Sequence, residues 1–211
     1  MAGKIEAIVF DFDGVIHDTF ELVYSIHKKF RPESSREDYR SYFDGNLFKT
    51  AGRNKEGYEK FKEIEFELFK ELKLEKNIRK VLEKLSKKYD LYIISSNSIK
   101  NLNLYFENNN FTNVFKEILA AETHKSKTEK FKILFKKYHL TPESCLFVTD
   151  TLGDILEANE VGVKSIACTF GFHERKRLEK GNPYKIVSSF DGVLKTIEEM
   201  DLKVNFFKNK K

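Results

Sequence analysis

The sequence predicts an α/β protein with a doubly wound, mostly parallel, Rossmann-like sheet and an inserted α-helical cap. Short apolar runs recur along the chain, they are nearly continuous rather than alternating, and amphipathic helical patterns separate them. Continuous apolar runs indicate strands that are covered on both faces, and parallel strands need helical connections. The insertion is predicted because about 60 residues after the first run contain no strand pattern.

Six runs are predicted as strands. The four clearest are nearly all apolar and cover residues 5–12, 91–96, 146–150 and 164–170. Residues 184–189 show a weaker strand pattern. Residues 117–122 show a weaker pattern still, which is also compatible with a helix.

Helices are predicted between these strands wherever apolar residues recur at helical spacing. They cover residues 78–89, 128–140 and 154–162, with Gly162 at the C-terminal end of the last. The insertion has helical patterns over residues 19–30, 33–43 and 56–74. The predicted domains are an α/β core of residues 1–16 and 76–211 and an α-helical cap of residues 17–75. A helical module beside the end of a strand is well placed to act as a lid.

The composition excludes several classes of protein. The 211 residues are 40% hydrophobic, which is enough for a packed core and excludes wholesale disorder. No apolar run is long enough to span a membrane, and the N-terminus lacks the pattern of a signal peptide, so we expect a cytoplasmic protein. A net charge of +5, spread along the helices, does not indicate a nucleic-acid partner. Cys145 and Cys168 lie in apolar runs, where we expect buried thiols.

Acidic side chains follow two of the predicted strands. Asp11 and Asp13 come at the end of the first strand, and Asp150, with Asp154 four residues later, at the end of the strand over 146–150. Ligands of open α/β sheets bind outside the carboxyl ends of the strands. Carboxylates that converge there repel one another unless a cation lies among them, and Mg²⁺ prefers such oxygen ligands. The sequence therefore predicts a Mg²⁺ site.

Two further strand ends supply neutral donors and ammonium groups. Ser95, Ser96 and Asn97 follow the second strand, and Lys125 and Lys127 precede the helix predicted over 128–140. Carboxylates, a metal ion, hydroxyl groups and an ammonium are the components that hold a phosphoryl group and neutralise its transfer. The predicted site therefore suits phosphoryl transfer.

The spacing of Asp11 and Asp13 suggests two different roles. Both share one face if the extended chain continues through them, so one carboxylate can act as the nucleophile and the other as a proton donor and acceptor. A carboxylate nucleophile forms an aspartyl-phosphate, which water then cleaves. The partner protonates the leaving alkoxide and deprotonates that water.

These motifs resemble those of the haloacid dehalogenase superfamily, on its phosphatase side. VFDFDGVIHDT (9–19) matches the first motif of the superfamily, IISSN (93–97) the second and LFVTDTLGDILEANEVG (146–162) the fourth. The third motif, a lysine before a helix, matches loosely in HKSKTEKF (124–131). The insertion resembles the helical cap of the phosphoglycolate phosphatase-like subgroup. The resemblance implies an enzyme that hydrolyses a small phosphorylated metabolite.

The resemblance also implies a role for each acidic residue. Asp11 is the nucleophile and a Mg²⁺ ligand. Asp13 is the general acid and base, and its backbone carbonyl also binds Mg²⁺. Asp150 is the second carboxylate ligand, and Asp154 supports the metal through water or a hydrogen bond.

For the phosphate-binding residues the resemblance leaves alternatives open. Ser96 or Ser95, together with Asn97, holds the phosphoryl oxygens, and Lys127 or Lys125 bridges the phosphate and the nucleophile. The spacing of these residues permits either serine and either lysine. For reading the substrate, the candidates in the insertion are His17, Lys49, Arg53 and Lys55, although no motif singles them out.

Several alternative functions stay open. Within the superfamily these are a phosphomutase, a phosphonate hydrolase and a non-catalytic member that binds phosphate and Mg²⁺. A sugar phosphomutase needs a histidine a few residues into the cap, where this chain has Leu22, Val23 and Tyr24. A response-regulator receiver shares the components but carries its phosphorylated aspartate at the third strand.

Overall fold

The computed structural model describes residues 4–50 and 55–208, and for residues 55, 56, 58 and 203–208 the description is limited to the backbone. A six-stranded sheet forms its centre, in the order β3-β2-β1-β4-β5-β6, and every pair of neighbouring strands is parallel. The strands are β1 (Ala7–Phe10), β2 (Asp90–Ile94), β3 (Glu117–Leu119), β4 (Cys145–Thr149), β5 (Lys164–Cys168) and β6 (Lys185–Val187). All six predicted strands are confirmed, including the weak one over 117–122.

Helices cover both faces of this sheet. The ten in the described residues are α1 (Phe20–Phe30), α2 (Arg36–Ser41), α3 (Leu47–Thr50), α4 (Lys55–Phe69), α5 (Lys76–Ser86), α6 (Ile99–Asn108), α7 (Lys127–Tyr138), α8 (Leu152–Glu160), α9 (Arg175–Glu179) and α10 (Phe190–Lys208). The predicted α/β fold with a doubly wound parallel sheet is confirmed. None of the helices in this part of the chain is long and apolar enough to cross a membrane.

Alternate residues of β1 enter two separate cores. Ile8 and Phe10 pack with α5, α6 and α10 on one face, whereas Ala7 and Val9 pack with α7 and α8 on the other. All four side chains are fully buried. This burial on both faces is why the strand sequences are continuously apolar. Cys145 and Cys168 are buried as free thiols, as predicted.

The strand register places three chain segments side by side. Phe10 of β1 pairs with Ile93 of β2 and with Val148 of β4, so the chain leaves the three central strands at one level. The backbone N–H of Asp11 then donates to the carbonyl oxygen of Val148 over 2.9 Å. The residues that follow these strands therefore meet at one edge of the sheet.

Helices α1 to α4 lie in the insertion, which we define as residues 17–75, and side chains from α1, α2 and α4 contribute to a small apolar core. This core contains Phe20, Tyr39 and Phe61, and it also includes Phe172 from the segment after β5. Hydrogen bonds join the insertion to the rest of the chain: Arg40 Nε donates to the carbonyl of Phe172, and the N–H of Gly153 donates to the carbonyl of Phe43, both over 2.8 Å.

Candidate active site

A tight turn follows β1 and carries the first acidic pair. The carbonyl oxygen of Phe12 accepts hydrogen bonds from the backbone N–H groups of Val15, Ile16 and His17, and Phe12 N–H donates to Asp11 Oδ1 over 2.7 Å. Gly14 has a φ of +75°, and a Cβ at this position would lie 1.9 Å from Asp150 Oδ2. A glycine here therefore permits both the left-handed backbone and the close approach of Asp150.

Three buried carboxylates converge beside this turn. One oxygen each of Asp11, Asp150 and Asp154 lies within 4.8 Å of the others. Phe172 N–H donates to Asp150 Oδ2 over 2.7 Å, and Thr149 Oγ donates to Asp154 Oδ2 over 2.7 Å. Asp150 Oδ1 is buried, and no residue that the structure describes donates a hydrogen bond to it. A buried carboxylate oxygen without a donor suits a cation, so this cluster fits Mg²⁺.

Burial and the nearby ammonium of Lys127 shift the pKa values of the three carboxylates in different directions. Burial raises the pKa of Asp11 and of Asp150 well above the ordinary range for aspartate, and Lys127 offsets this only in part. Burial also disfavours the ionised form of Asp154. The Lys127 ammonium and its neighbouring hydrogen bonds nevertheless hold the pKa of Asp154 below the ordinary value. A bound divalent cation would favour the ionised form of all three groups.

The structure separates the two candidate lysines. Lys127 is buried, and its Nζ lies 2.7 Å from Asp11 Oδ2 and 2.7 Å from Asp154 Oδ2. Lys125 is exposed, and its Nζ donates to the carbonyl of Ala121 over 3.0 Å. Both line the same cavity, but only Lys127 of the two contacts the carboxylates.

Asp13 stands apart from the buried cluster and faces the cavity. Its carboxylate accepts a hydrogen bond from Thr19 Oγ over 2.7 Å and one from Asn97 Nδ2 over 3.1 Å. Asn97, predicted to hold phosphate, therefore contacts Asp13, and its contact with a phosphoryl group stays a prediction. Two neutral donors orient the Asp13 carboxylate without supplying a counter-charge.

The two serines after β2 occupy different environments. Ser95 is fully buried, and its hydroxyl accepts the N–H of Asn97 over 3.0 Å. Lys130, also fully buried, donates to the carbonyl of Ser95 over 2.5 Å. Ser96 is half-buried and lines the cavity, whereas Ser95 does not. Of the two, Ser96 is the one whose position suits contact with a ligand.

A cavity of about 390 Å³ lies above these groups. The strand ends and the segments that follow them supply Asp11, Asp13, Asp154, Ser96, Asn97, Lys125 and Lys127. The insertion supplies most of the remaining wall, with Val23, Tyr39, Phe43, Gly45, Leu47, Phe48, Phe61, Lys62 and Glu65. The site is therefore built jointly from the ends of the strands and from the insertion.

Of the four candidates for reading the substrate, His17 and Lys49 do not line this cavity. His17 Nδ1 lies 3.2 Å from the hydroxyl of Tyr105, and burial lowers the pKa of His17. Lys49 is exposed in α3. Arg53 lies outside the described residues, and Lys55 is described by its backbone alone.

Several residues of the site were not predicted. The hydroxyl group of Thr149 donates to Asp154, and the hydroxyl group of Thr19 donates to Asp13. Glu157 Oε1 accepts from the backbone N–H of Lys127 over 3.0 Å and so anchors the start of α7. Two of these residues could have been found from the sequence. Thr149 directly precedes Asp150, and Glu157 lies one helical turn after Asp154.

Comparisons with known proteins identify the family of the chain. The sequence profile of the haloacid dehalogenase-like hydrolases matches residues 8–168. The chain is also similar to a phosphoglycolate phosphatase from Synechococcus elongatus, with 23% identity over 209 residues that cover 93% of this chain and 99% of that protein. The profile covers well over half of the chain, which is enough to assign the family.

Solved structures show the same fold. A haloacid dehalogenase-like family hydrolase from Streptococcus pneumoniae has a TM-score of 0.76 at 24% identity, over 91% of this chain and 98% of that one. A candidate β-phosphoglucomutase from Thermotoga maritima has a TM-score of 0.69 at 17% identity, over 92% and 99% of the two chains. The predicted resemblance is confirmed: the chain belongs to the haloacid dehalogenase-like hydrolase family.

Proposed function

We propose that the chain is a Mg²⁺-dependent phosphatase that hydrolyses a small phosphomonoester through an aspartyl-phosphate on Asp11. The observation that carries this proposal is the position of the Lys127 ammonium between Asp11 and Asp154, at the base of a cavity that Asp13 also lines. The similarity to a phosphoglycolate phosphatase supports the same class of reaction. We also propose that the insertion, residues 17–75, acts as a cap over the α/β core.

In this mechanism an Asp11 oxygen attacks the phosphorus atom, and the bond from phosphorus to the alcohol oxygen breaks. Asp13 gives its proton to the leaving alkoxide. Asp13 then takes a proton from a water molecule, which attacks the phosphorus of the aspartyl-phosphate, releasing inorganic phosphate and free Asp11. The Lys127 ammonium lies against Asp11 and neutralises charge there, and the Ser96 hydroxyl donates to the phosphoryl oxygens.

The residues that would hold Mg²⁺ are Asp11, Asp150 and Asp154, together with the backbone carbonyl of Asp13. When bound, Mg²⁺ neutralises charge on the phosphoryl oxygens during transfer. Thr149 and Phe172 orient two of these carboxylates through the hydrogen bonds described above.

The proposed reaction is tested by the hydrolysis of 4-nitrophenyl phosphate with Mg²⁺ and with a chelator. We expect turnover that depends on Mg²⁺ and releases one inorganic phosphate for each ester consumed. A phosphomutase would instead convert a sugar phosphate into its isomer without net release of phosphate. Absence of phosphate release from every ester would contradict the proposed function.

Mg²⁺ should stabilise the folded protein more at pH 8 than at pH 5. In the metal-free protein the raised pKa values of Asp11 and Asp150 mean that the folded state binds more protons than the unfolded state above about pH 4. Its stability therefore falls as the pH rises toward those raised values, and Mg²⁺, which competes with the protons, offsets this loss. Thermal unfolding with Mg²⁺ and with EDTA measures the difference, about 2.7 kcal/mol at a hundredfold excess over Kd.

The matched control for this experiment is Asp150→Asn. This variant removes the carboxylate with the unpartnered oxygen, so the gain from Mg²⁺ should largely disappear. An equal gain in the variant and in the parent protein would contradict the assignment of Asp150 as a ligand.

Asp13→Asn should lower kcat by about 10²- to 10⁴-fold, because the amide cannot give a proton to the leaving group or take one from water. Thr19 and Asn97 still surround the side chain, so the fold should be preserved. Trapping of labelled phosphate on the protein, measured beside kcat, should show a longer-lived phosphoenzyme. An unchanged kcat would assign the proton transfers to another group.

A further inference from the structure

Much of the wall of the cavity is aromatic. Tyr39, Phe61 and Phe172 are buried there and belong to the apolar core of the insertion. Phe43 packs edge-on against Phe172, with ring centroids 4.9 Å apart and an interplanar angle of 89°. Phe48 is half-buried on the same wall. Phe43 also packs edge-on against Tyr39, with ring centroids 5.4 Å apart, so Tyr39, Phe43 and Phe172 form one packed apolar surface that lines the cavity.

Apart from Asp11, Asp13, Asp154 and Lys127, the described charged side chains that line the cavity are two of each sign. Lys62 and Glu65, both in α4, form an ion pair over 2.6 Å, and Glu65 also accepts a hydrogen bond from Asn101 Nδ2 over 2.9 Å. Lys125 Nζ lies 4.6 Å from the centroid of the Phe48 ring and donates to a backbone carbonyl. Glu157 adds a carboxylate to the lining. A carboxylate on the substrate would therefore meet as much negative as positive charge among these side chains.

The size of the cavity also fits a ring. Its volume of about 390 Å³ falls within the roughly 300–1,000 Å³ of pockets that enclose drug-sized ligands. A phosphoryl group with a two-carbon acid would leave much of the aromatic wall uncovered. A phosphoryl group that carries an aromatic ring would cover it.

We infer that the preferred substrate is a phosphomonoester of an apolar alcohol that carries an aromatic ring, rather than of a carboxylated or sugar alcohol. This inference rests on the proposed phosphatase function. The rings of Phe48, Phe61 and Phe172 would contact the substrate ring, and among the described side chains Lys62 and Glu65 would neutralise each other rather than a carboxylate on the substrate.

The test compares benzyl phosphate with 2-phosphoglycolate, which share the CH₂–O–P unit and differ in the phenyl ring and the carboxylate. We expect kcat/KM to be at least about tenfold higher for benzyl phosphate, since differences in apolar contacts within a pocket discriminate by about 10- to 200-fold. An equal or higher kcat/KM for 2-phosphoglycolate would overturn the inference and leave the phosphatase function intact.

Two matched variants locate the source of the preference. Phe48→Ala should lower the ratio of the two kcat/KM values by about fivefold to tenfold, because it removes one ring of the wall. Lys125→Gln, which removes the nearby ammonium, should leave that ratio within about twofold if the wall, and not this charge, makes the selection. Leu47→Ala provides a second substitution of the wall if Phe48→Ala does not fold. If a wall variant folds and its ratio of the two kcat/KM values equals that of the parent protein, the inference is overturned.

A binding measurement separates this inference from the proposed function. The non-hydrolysable analogues are 2-phenylethylphosphonate and 3-phosphonopropionate, and their Kd values are measured by calorimetry in the presence of Mg²⁺. If no ester is hydrolysed, the proposed function fails, yet tighter binding of the phenyl compound would still support the aromatic pocket. Tighter binding of the carboxylated compound, or no binding of either, would overturn the inference.

Discussion

Asp11→Asn is expected to lower kcat by about 10⁴-fold or more, because a carboxamide cannot replace the attacking carboxylate. The substitution is nearly isosteric, and it removes one of three carboxylates that repel one another in the metal-free protein, so the variant should fold. The measurement is steady-state hydrolysis of an ester beside the trapping of labelled phosphoenzyme, which should be absent in the variant.

The matched control is Asp18→Asn, which removes the same charge seven residues further along the chain. Asp18 is exposed, and its carboxylate accepts only the N–H of Phe20, over 3.2 Å, among the hydrogen bonds of the described residues. This variant should retain turnover. If Asp11→Asn kept full turnover, the assignment of the nucleophile would be wrong.

Lys127→Met should destabilise the metal-free protein by about 3–5 kcal/mol, because it leaves two buried carboxylates without their shared cation. The ammonium lies 2.7 Å from both Asp11 and Asp154, and the pKa of Lys127 is raised by these two neighbours against the opposing effect of burial. Denaturant unfolding in EDTA measures the loss. Activity with Mg²⁺ should also fall sharply, since the neutralising charge beside the nucleophile is gone.

Lys125→Met makes the same chemical change two residues earlier and is the control for this experiment. Because Lys125 is exposed, its replacement should change the free energy of unfolding by less than about 0.5 kcal/mol. Equal destabilisation by the two variants would contradict the assignment of Lys127 to the carboxylate cluster.

The acidic part of the site could be predicted from the sequence because it follows from strand topology. Apolar runs identify β1 and β4, and parallel neighbours end at the same edge of the sheet, so Asp11 and Asp150 must lie close together. The position of α6 was harder to predict. Its sequence IKNLNLYFEN contains several asparagines, which favour turns and caps over the interior of a helix.

The choice between paired candidates could not be predicted from spacing alone. Ser126 begins α7 by accepting the N–H of Glu129, and this places Lys127 in the first turn of the helix, where it reaches the carboxylates. A shift of the helix start by two residues would have placed Lys125 there instead. Likewise, Ser95 continues the sheet through its N–H bond to the carbonyl of Leu119, which leaves Ser96 at the cavity.

Contacts between residues that lie far apart in the sequence could not be predicted from any local pattern. The N–H of Phe172 donates to Asp150 across 22 residues, and Asn97 donates to Asp13 across 84 residues. Such bonds depend on tertiary packing, so neither residue carries a signal of its partner. The same holds for the aromatic wall, whose rings come from separate helices and from the segment after β5.

The close packing of Asp150 between two glycines bears on how substitutions in this chain should be interpreted. A Cβ at Gly14 would lie 1.9 Å from Asp150 Oδ2, and a Cβ at Gly171 would lie 2.3 Å from the same atom. A saturation screen that scores activity alone would rank both glycines beside the aspartates, although neither has a side chain to take part in chemistry. In a sequence that keeps every acidic residue but replaces either glycine, the new side chain would have to displace the Asp150 carboxylate, so the acidic residues alone do not preserve this arrangement.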